Sequence, residues 1–255
     1  MITIKTSDDI KILREGGKIL ANVLYEVAAH VRPGVSTKEL DQIAFDLIKK
    51  SGAMPAFLNY KPEGISYSYP ATLCVSVNEE VVHGIPKEDK ILKESDIVSL
   101  DCGLNYKGLF TDMAITVPVG LASEEDLKLI EVTKKALAIG IREAKAGNTV
   151  GDIGHAIGEF IKKNNFTTNK ILAGHGVGYK IHEDPFVPNF GRPGEGAELK
   201  TGMVIAIEPM VNLGHGEVVV TSDEYTFKTR DGKKSAHFEK TIAITDDKPF
   251  VLTER

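Results

Sequence analysis

Apolar residues recur at Ile10, Leu13, Leu20, Leu24, Val27 and Val31, the spacing of one helical face. Ser7 stands ahead of them as a candidate N-cap, with Asp8 and Asp9 at the positive end of the helix dipole. Pro33-Gly34 ends this helix. Ser36-Thr-Lys-Glu39 is a capping box. Behind it Leu40, Ile43, Ala44, Leu47 and Ile48 line one face of a second helix, which closes near Ser51-Gly52. The period then changes. Residues 57–70 are aromatic and turn-rich and predict a surface loop. Residues 71–77 predict a strand, 78–80 a turn, and Val81-Val82-His83 a short strand running into a loop. Residues 98–116 predict a β-hairpin with its turn between Gly103 and Gly108.

The pattern then repeats. Ser123-Glu-Glu-Asp126 is another capping box, opening a helix that runs to about Ala146. Residues 145–163 overlie 32–50 without gaps: Gly147 falls on Gly34, Thr149 on Ser36, Asp152 on Glu39, Ile153 on Leu40 and Ile161 on Ile48. The strand at 235–245 echoes that at 111–116. Asp112, Ala114 and Thr116 share one face of theirs, as do Glu239, Thr241 and Ala243. One domain over 1–255 is expected, duplicated internally at approximately 1–120 and 121–255. The expected class is α+β: two pseudo-symmetric halves form one curved antiparallel sheet, covered by helices on one side. A site built from both halves would lie on the uncovered concave side.

Composition narrows the class. At 255 residues, with 42% hydrophobic and 26% charged residues, the chain is an ordinary globular one. A net charge of −5 gives no whole-molecule attraction to nucleic acid or anionic lipid. Cys74 and Cys102 lack C-x-x-C spacing and fit reduced thiols in a cytoplasmic protein. No segment predicts a secretory signal or a membrane span. The G-x-G-x-x-G and G-x-x-x-x-G-K-[ST] motifs of nucleotide sites are absent.

Buried acids carry the candidate chemistry. A turn centred on Tyr106 and Lys107 puts Asp101 directly opposite Asp112, where like charges destabilise a hairpin. One acid then stays protonated, or a cation lies between them; the alternative is two solvated acids on an edge. Glu208 sits in the apolar run Met203-Val-Ile-Ala-Ile-Glu-Pro-Met-Val211, where a carboxylate is neutralised or needs a partner. Its alternative is a strand end leaving to solvent at Pro209. Glu239 lies between Phe238 and an apolar run, and His175 between two glycines, with His182 seven residues on. Four carboxylates, Asp101, Asp112, Glu208 and Glu239, balance two divalent cations when His175 is neutral. Oxygen-rich ligation with one nitrogen points to Mn, Fe(II), Co or Zn. Paired ions of this kind act in hydrolases.

Val77-Asn-Glu-Glu-Val-Val-His-Gly-Ile-Pro86, Leu100-Asp-Cys-Gly, Thr111-Asp-Met-Ala, Gly174-His-Gly-Val-Gly, Ile207-Glu-Pro-Met and Phe238-Glu-Lys-Thr together resemble type I methionine aminopeptidases, over about residues 5 to 250. The resemblance implies the pita-bread fold and removal of N-terminal methionine from nascent polypeptides when the second residue is small. It implies that Asp112 and Glu239 bridge two metal ions, with Asp101 completing one site and His175 and Glu208 the other. His83 and His182 become the histidines that contact substrate, and Glu208 the proton shuttle. The methionine pocket would draw on Phe57, Tyr60, Tyr69, Cys74, Ile181 and Tyr225. Three features depart from the family pattern. The loop 61–68 is longer, Tyr225 replaces a larger aromatic, and Ile181 stands where an aromatic is common; a looser pocket follows. The missing Cys-rich extension and the 31-residue spacing of Glu208 and Glu239 suggest the short bacterial form. The resemblance to bacterial relatives further implies that a basic loop at this place docks on ribosomal RNA. Here Lys228, Arg230, Lys233 and Lys234 form a basic hairpin tip. A monomer is expected. Two other readings stand beside this one: an X-Pro aminopeptidase-like enzyme, and a non-catalytic pita-bread protein that binds peptide or RNA.

Overall fold

The first helix starts one residue earlier than its cap signal suggests. In the computed structural model, which describes residues 1–255, Thr6 is the N-cap: its hydroxyl accepts the Asp9 N–H and the Asp9 carboxylate accepts the Thr6 N–H. Ser7 cannot close such a box, because the residue three beyond it is the apolar Ile10. The elements in order are α1 (Ser7–Ala29), α2 (Thr37–Lys50), β1 (Met54–Pro55), β2 (Leu73–Val77), β3 (Glu80–Val82), β4 (Ile97–Tyr106) and β5 (Leu109–Pro118). Then follow α3 (Glu124–Glu143), α4 (Val150–Lys163), β6 (Thr167–Thr168), β7 (Gly174–Gly176), β8 (Glu183–Val187), β9 (Val204–Ile207) and β10 (Met210–Asn212). The chain closes with β11 (Val218–Val220), β12 (Phe227–Thr229), β13 (Ser235–His237), β14 (Lys240–Ala243) and β15 (Phe250–Val251).

The same entry into a helix is built twice. Gly34 and Gly147 take left-handed backbones, φ 89° and 90°. Their N–H groups donate to Leu92 O and Leu199 O. Ser36 with Glu39 and Thr149 with Asp152 then close the capping boxes of α2 and α4. The N-cap of α3 is Ser123, as its spacing predicts, but the expected capping box does not close. Ser123 accepts the Asp126 N–H, while the Asp126 carboxylate turns to the Ser123 hydroxyl and Lys234 instead of the Ser123 N–H. The helix stops at Glu143 because Ala144 leaves helical geometry.

The central hairpin turns one residue later than expected. Lys107 and Gly108 both have positive φ, 51° and 86°, as a type I′ turn requires. Moving the centre by one residue moves the pairing by two. Asp101 therefore faces Ala114, and Asp112 faces Gly103. The acids are diagonal neighbours on one face, not opposite each other.

The antiparallel ladders run β1-β4-β2 with β5 on β4, and β15-β14-β9-β7-β8; smaller ones are β13-β10-β6 and β11-β12-β3. The two larger sheets join where β5 meets β14. Alternation along the strands sorts the side chains. Leu100, Cys102, Met113, Ile115, Ile205 and Ile207 enter the largest apolar cluster, with Leu20, Leu24, Leu40, Leu129 and Ile153 of the four helices. Asp101, between Leu100 and Cys102, and Asp112, next to Met113, point to the other face.

The basic segment at 228–234 is not a hairpin. β12 pairs with β11 and β3, whereas β13 pairs with β10. Its connection carries the chain from one ladder to another.

Candidate metal centre

β4 supplies Asp101, β5 supplies Asp112 and β7 supplies His175. Glu208 lies between β9 and β10, and Glu239 between β13 and β14. The two glutamates adjoin the paired residues Ile207 and Lys240, at the end of the ladder that Pro209 interrupts. Glu208 is thus a strand end, but not one leaving to solvent: its side chain is 12% exposed. The glycines beside His175 allow close backbone packing. A Cβ at Gly174 would lie 2.2 Å from Ala206 O, and one at Gly176 would lie 2.1 Å from Asp184 O.

These five side chains converge. His175 Nε2 is 3.6 Å from Glu208 Oε1 and 4.0 Å from both Asp112 Oδ2 and Glu239 Oε1. Donor atoms of His175, Glu208 and Glu239 lie within 4.8 Å of one another, as do those of Asp101, Asp112 and Glu239. Burial raises the Asp101 carboxyl to about 7, with Glu208 adding to the effect and His237 opposing it. Burial, then the neighbouring acids, holds Asp112 and Glu239 well above the usual carboxylate range. Asp101 Oδ1 and Glu239 Oε1 are buried and have no hydrogen-bond partner. No lysine or arginine lines the cavity they face. Mutually repelling carboxylates with free lone pairs fit divalent cations, whose charge would reverse these shifts.

The other predicted residues lie around this cluster. His83 leaves β3 through a left-handed backbone, φ 59°, which turns its ring into the cavity. Burial lowers it to about 4. His182 stacks edge-on against His175, ring centres 4.5 Å apart, and its Nδ1 lies 2.9 Å from the Tyr60 hydroxyl. Burial, and then His175, lowers it to about 3. Both imidazoles are therefore neutral near pH 7.

Phe57, Tyr60, Tyr69, Cys74 and Tyr225 line the apolar end of the same cavity. Ile181 is buried in their cluster but does not reach the cavity wall; with Phe57 it packs over Gly103. The loop predicted at the surface turns its ends inward, leaving Phe57 and Tyr69 buried. Its long middle is fastened to the turn before Tyr225. Ser66 N–H donates to Glu224 Oε2 at 2.8 Å, and Tyr67 Oη to Asp223 O at 2.6 Å. The Tyr67 ring meets Tyr225 edge-on at 5.3 Å, so the extra loop adds an aromatic wall beside the smaller Tyr225.

Two residues of the site are not among those the sequence pointed to. Pro62 lines the cavity from within the long loop. His237 is buried, with Nε2 3.3 Å from Glu208 Oε2. Period-two spacing from Glu239 would have put it on the site face. Of the basic residues, Lys234 is tied to Asp126 at 2.9 Å and Ser95 O at 2.7 Å, and Arg230 to Glu217 at 3.0 Å.

A sheet whose two halves each contribute acids to one buried cluster is the architecture of a metal-dependent hydrolase. The chain belongs to metallopeptidase family M24, whose model matches residues 11–246. It is 47% identical over 253 residues to methionine aminopeptidase 1 from Bacillus subtilis, with 99% of each chain covered. It superposes on the crystal structure of methionine aminopeptidase from Thermotoga maritima with a TM-score of 0.95 at 42% identity, each chain fully covered. Prolidase from Pyrococcus furiosus shares the fold at a TM-score of 0.79 and 25% identity, and this chain spans 65% of it. The pita-bread arrangement is common to all three. Membership of a metallopeptidase family implies use of a divalent metal. No helix is long and apolar enough to cross a membrane.

Proposed function

We propose that this enzyme removes N-terminal methionine from nascent proteins and peptides whose second residue is small. The observation that carries the reading is the convergence of Asp101, Asp112, His175, Glu208 and Glu239 at one end of a cavity whose other end is aromatic. Likeness to the Bacillus subtilis and Thermotoga maritima enzymes over whole chains supports it. One domain carries the site, built from halves at approximately 1–120 and 121–255.

Asp101, Asp112, His175, Glu208 and Glu239 would hold two divalent ions. Such ions, whether Mn, Fe(II), Co or Zn, supply Lewis-acid polarisation of the scissile carbonyl and an activated water. The methionine side chain enters the pocket of Phe57, Tyr60, Tyr69, Cys74 and Tyr225, where a thioether packs well against ring edges. Ile181 supports that wall from behind. Glu208 takes the proton from the attacking water and passes it to the leaving amine. His83 and His182 are neutral and donate hydrogen bonds to the carbonyl oxygen as it gains charge. His182 Nδ1 lies 2.9 Å from the Tyr60 hydroxyl; a hydroxyl that donates to Nδ1 would leave the His182 proton on Nε2, the tautomer this role needs.

The enzyme works in the cytoplasm as a monomer and meets its substrates at the ribosome, through Lys228, Arg230, Lys233 and Lys234. The test of the activity is methionine release from Met-Ala-Ser, Met-Ile-Ser, Leu-Ala-Ser and Ala-Pro-Ala by metal-free protein and after addition of Mn(II), Co(II) or Fe(II). Metal-dependent cleavage of Met-Ala-Ser alone is expected. Cleavage of Ala-Pro-Ala instead would move the enzyme to the proline-specific branch. No cleavage by folded, metal-loaded protein would favour a binding role.

A further inference from the structure

The loop that carries His182 is held from outside by the first residues of the chain. Lys5 is the anchor. Its backbone N–H donates to Gly202 O at 2.8 Å, fixing it beside the turn that precedes β9. Its side chain runs inward to Glu183, with Nζ 2.6 Å from Oε2. Both side chains are almost wholly buried, 1% and 5% exposed. The second oxygen of Glu183 accepts the Lys180 N–H at 2.8 Å. The Lys5 stem lies against Gly178, where a Cβ would come within 2.3 Å of Lys5 Cε. Tyr179 donates its hydroxyl proton to Asp9 Oδ2 at 2.8 Å. Residues 178–183 are therefore clamped along their length to residues 5–9.

A buried ion pair is a poor source of stability, because the cost of desolvating both charges offsets their attraction. An apolar pair of similar volume would join strap and loop as firmly. What a charged pair adds is register: an ammonium buried with one carboxylate tolerates little displacement of that carboxylate. The residue bonded to Glu183 on its N-terminal side is His182. Beyond Tyr60, whose hydroxyl meets Nδ1 and whose ring lies tilted at 5.2 Å, and the edge-on contact with His175, His182 makes no other hydrogen bond or ring contact that would hold it.

We infer that Lys5 is a positioning residue for the reaction: through Glu183 it sets where His182 stands over the carboxylate cluster. This rests on the reading of His182 as a group that contacts substrate. The N-terminal strap thereby becomes part of the catalytic apparatus without touching it.

The test uses Lys5→Met, which keeps the stem and removes the ammonium. Lys5→Met/Glu183→Gln also removes the stranded carboxylate, so that folding is not put at risk. Both are assayed on Met-Ala-Ser as metal-loaded protein, in the wild-type and His182→Ala backgrounds. With His182 present, kcat/KM should fall by about 10- to 100-fold, the scale of a misplaced catalytic group. Without it, the same changes should alter the remaining rate less than about twofold. Equal losses in both backgrounds, or no loss in either, would overturn the proposal. A second readout needs no activity: the imidazole ¹⁵N resonances of metal-free protein. Lys5→Met should move those of His182 and leave those of His83 in place; an unmoved His182 would overturn the proposal. Wild-type protein that released no methionine would remove the activity reading, and the resonances would then decide the positioning alone.

Discussion

Glu239 and Ala114 exchange backbone hydrogen bonds across the seam between the halves: the Glu239 N–H donates to Ala114 O at 2.9 Å, and the Ala114 N–H donates to Glu239 O at 3.4 Å. Two residues along, Thr241 Oγ1 accepts the Asp112 N–H and donates to Asp112 O, each at 2.8 Å. The strands that supply Asp112 and Glu239 are thus fastened to each other. The acids need no side-chain contact to be brought together; the seam does it.

Thr241→Val should consequently destabilise the protein more than its small volume change suggests. It leaves the N–H and C=O of Asp112 buried without partners, at about 1–3 kcal/mol per group. A loss of about 2–4 kcal/mol in urea unfolding is expected, with the m-value unchanged. A loss below about 0.5 kcal/mol would show that the seam is held elsewhere.

Metal binding should strengthen with pH. Asp101 is raised to about 7 from about 3.9 in the unfolded chain. Its contribution to metal-free stability is full below about pH 4 and is lost as pH rises through 7. His83 is lowered to about 4 from about 6.5. Its contribution is full above about pH 6.5 and is lost as pH falls to 4. A divalent ion favours the ionised carboxylates, so binding below pH 7 must release protons. The rise in melting temperature on adding Mn(II) should be larger at pH 8 than at pH 5.5. Calorimetry in two buffers should show more protons released at the lower pH. An equal rise at both would mean that the raised carboxyls of Asp101, Asp112 and Glu239 do not join the ion.

Much of this site was legible because its signals are local. A capping box is read within four residues, so Ser36 and Thr149 stood out; Ser123 stood out as an N-cap, although its box stays half-closed. An acid such as Glu208 in an apolar run must be neutral or partnered, which marks it without any knowledge of the fold, even though the run proves to be two short strands with Glu208 between them. The hairpin register was not legible in the same way. It depends on which two residues take positive φ, and Lys107 gives no sign of it. At the first helix Thr6 and Ser7 are equally good cap residues by type, and only the acid three residues beyond Thr6 separates them. The basic segment misleads because strands adjacent in sequence usually pair, whereas here their partners lie in different ladders. Nor does the sequence show that Lys234 is already bound to Asp126.

The hydroxyl of Tyr60 can be removed without disturbing its ring. Tyr60→Phe should lower kcat/KM for Met-Ala-Ser by about 2- to 10-fold, the worth of one neutral hydrogen bond, with the melting temperature unchanged. In a His182→Ala background the substitution should do nothing more. A full effect there would place the Tyr60 hydroxyl on the substrate instead.

The long loop should govern selectivity. Glu224→Ala frees the Ser66 N–H from its carboxylate partner and loosens the wall that Tyr67 builds beside Tyr225. KM for Met-Ala-Ser should rise by several fold, about 1 kcal/mol of uniform binding, with kcat retained. The preference for Met-Ala-Ser over Leu-Ala-Ser should shrink, since the pocket discriminates near-isosteres by only about 1–3 kcal/mol. A lowered kcat with unchanged KM would mean that the loop orders the catalytic groups, not the pocket.

Ribosome docking can be tested without damaging the fold, provided Lys234 is left alone. Its ammonium holds Asp126 and Ser95 O, so its reversal would strand a buried carboxylate. Lys228, Arg230 and Lys233 are the exposed members of the group. Reversing those three to glutamate should weaken binding to purified ribosomes and lower the slope of log K against log salt. Each lost phosphate contact accounts for about 0.7–0.9 of that slope, so a fall of roughly two to three is expected. Cleavage of the free tripeptide should be unaffected, because the three residues do not line the cavity. Ribosome affinity and salt slope equal to those of the unmodified enzyme would show that these three residues do not dock it.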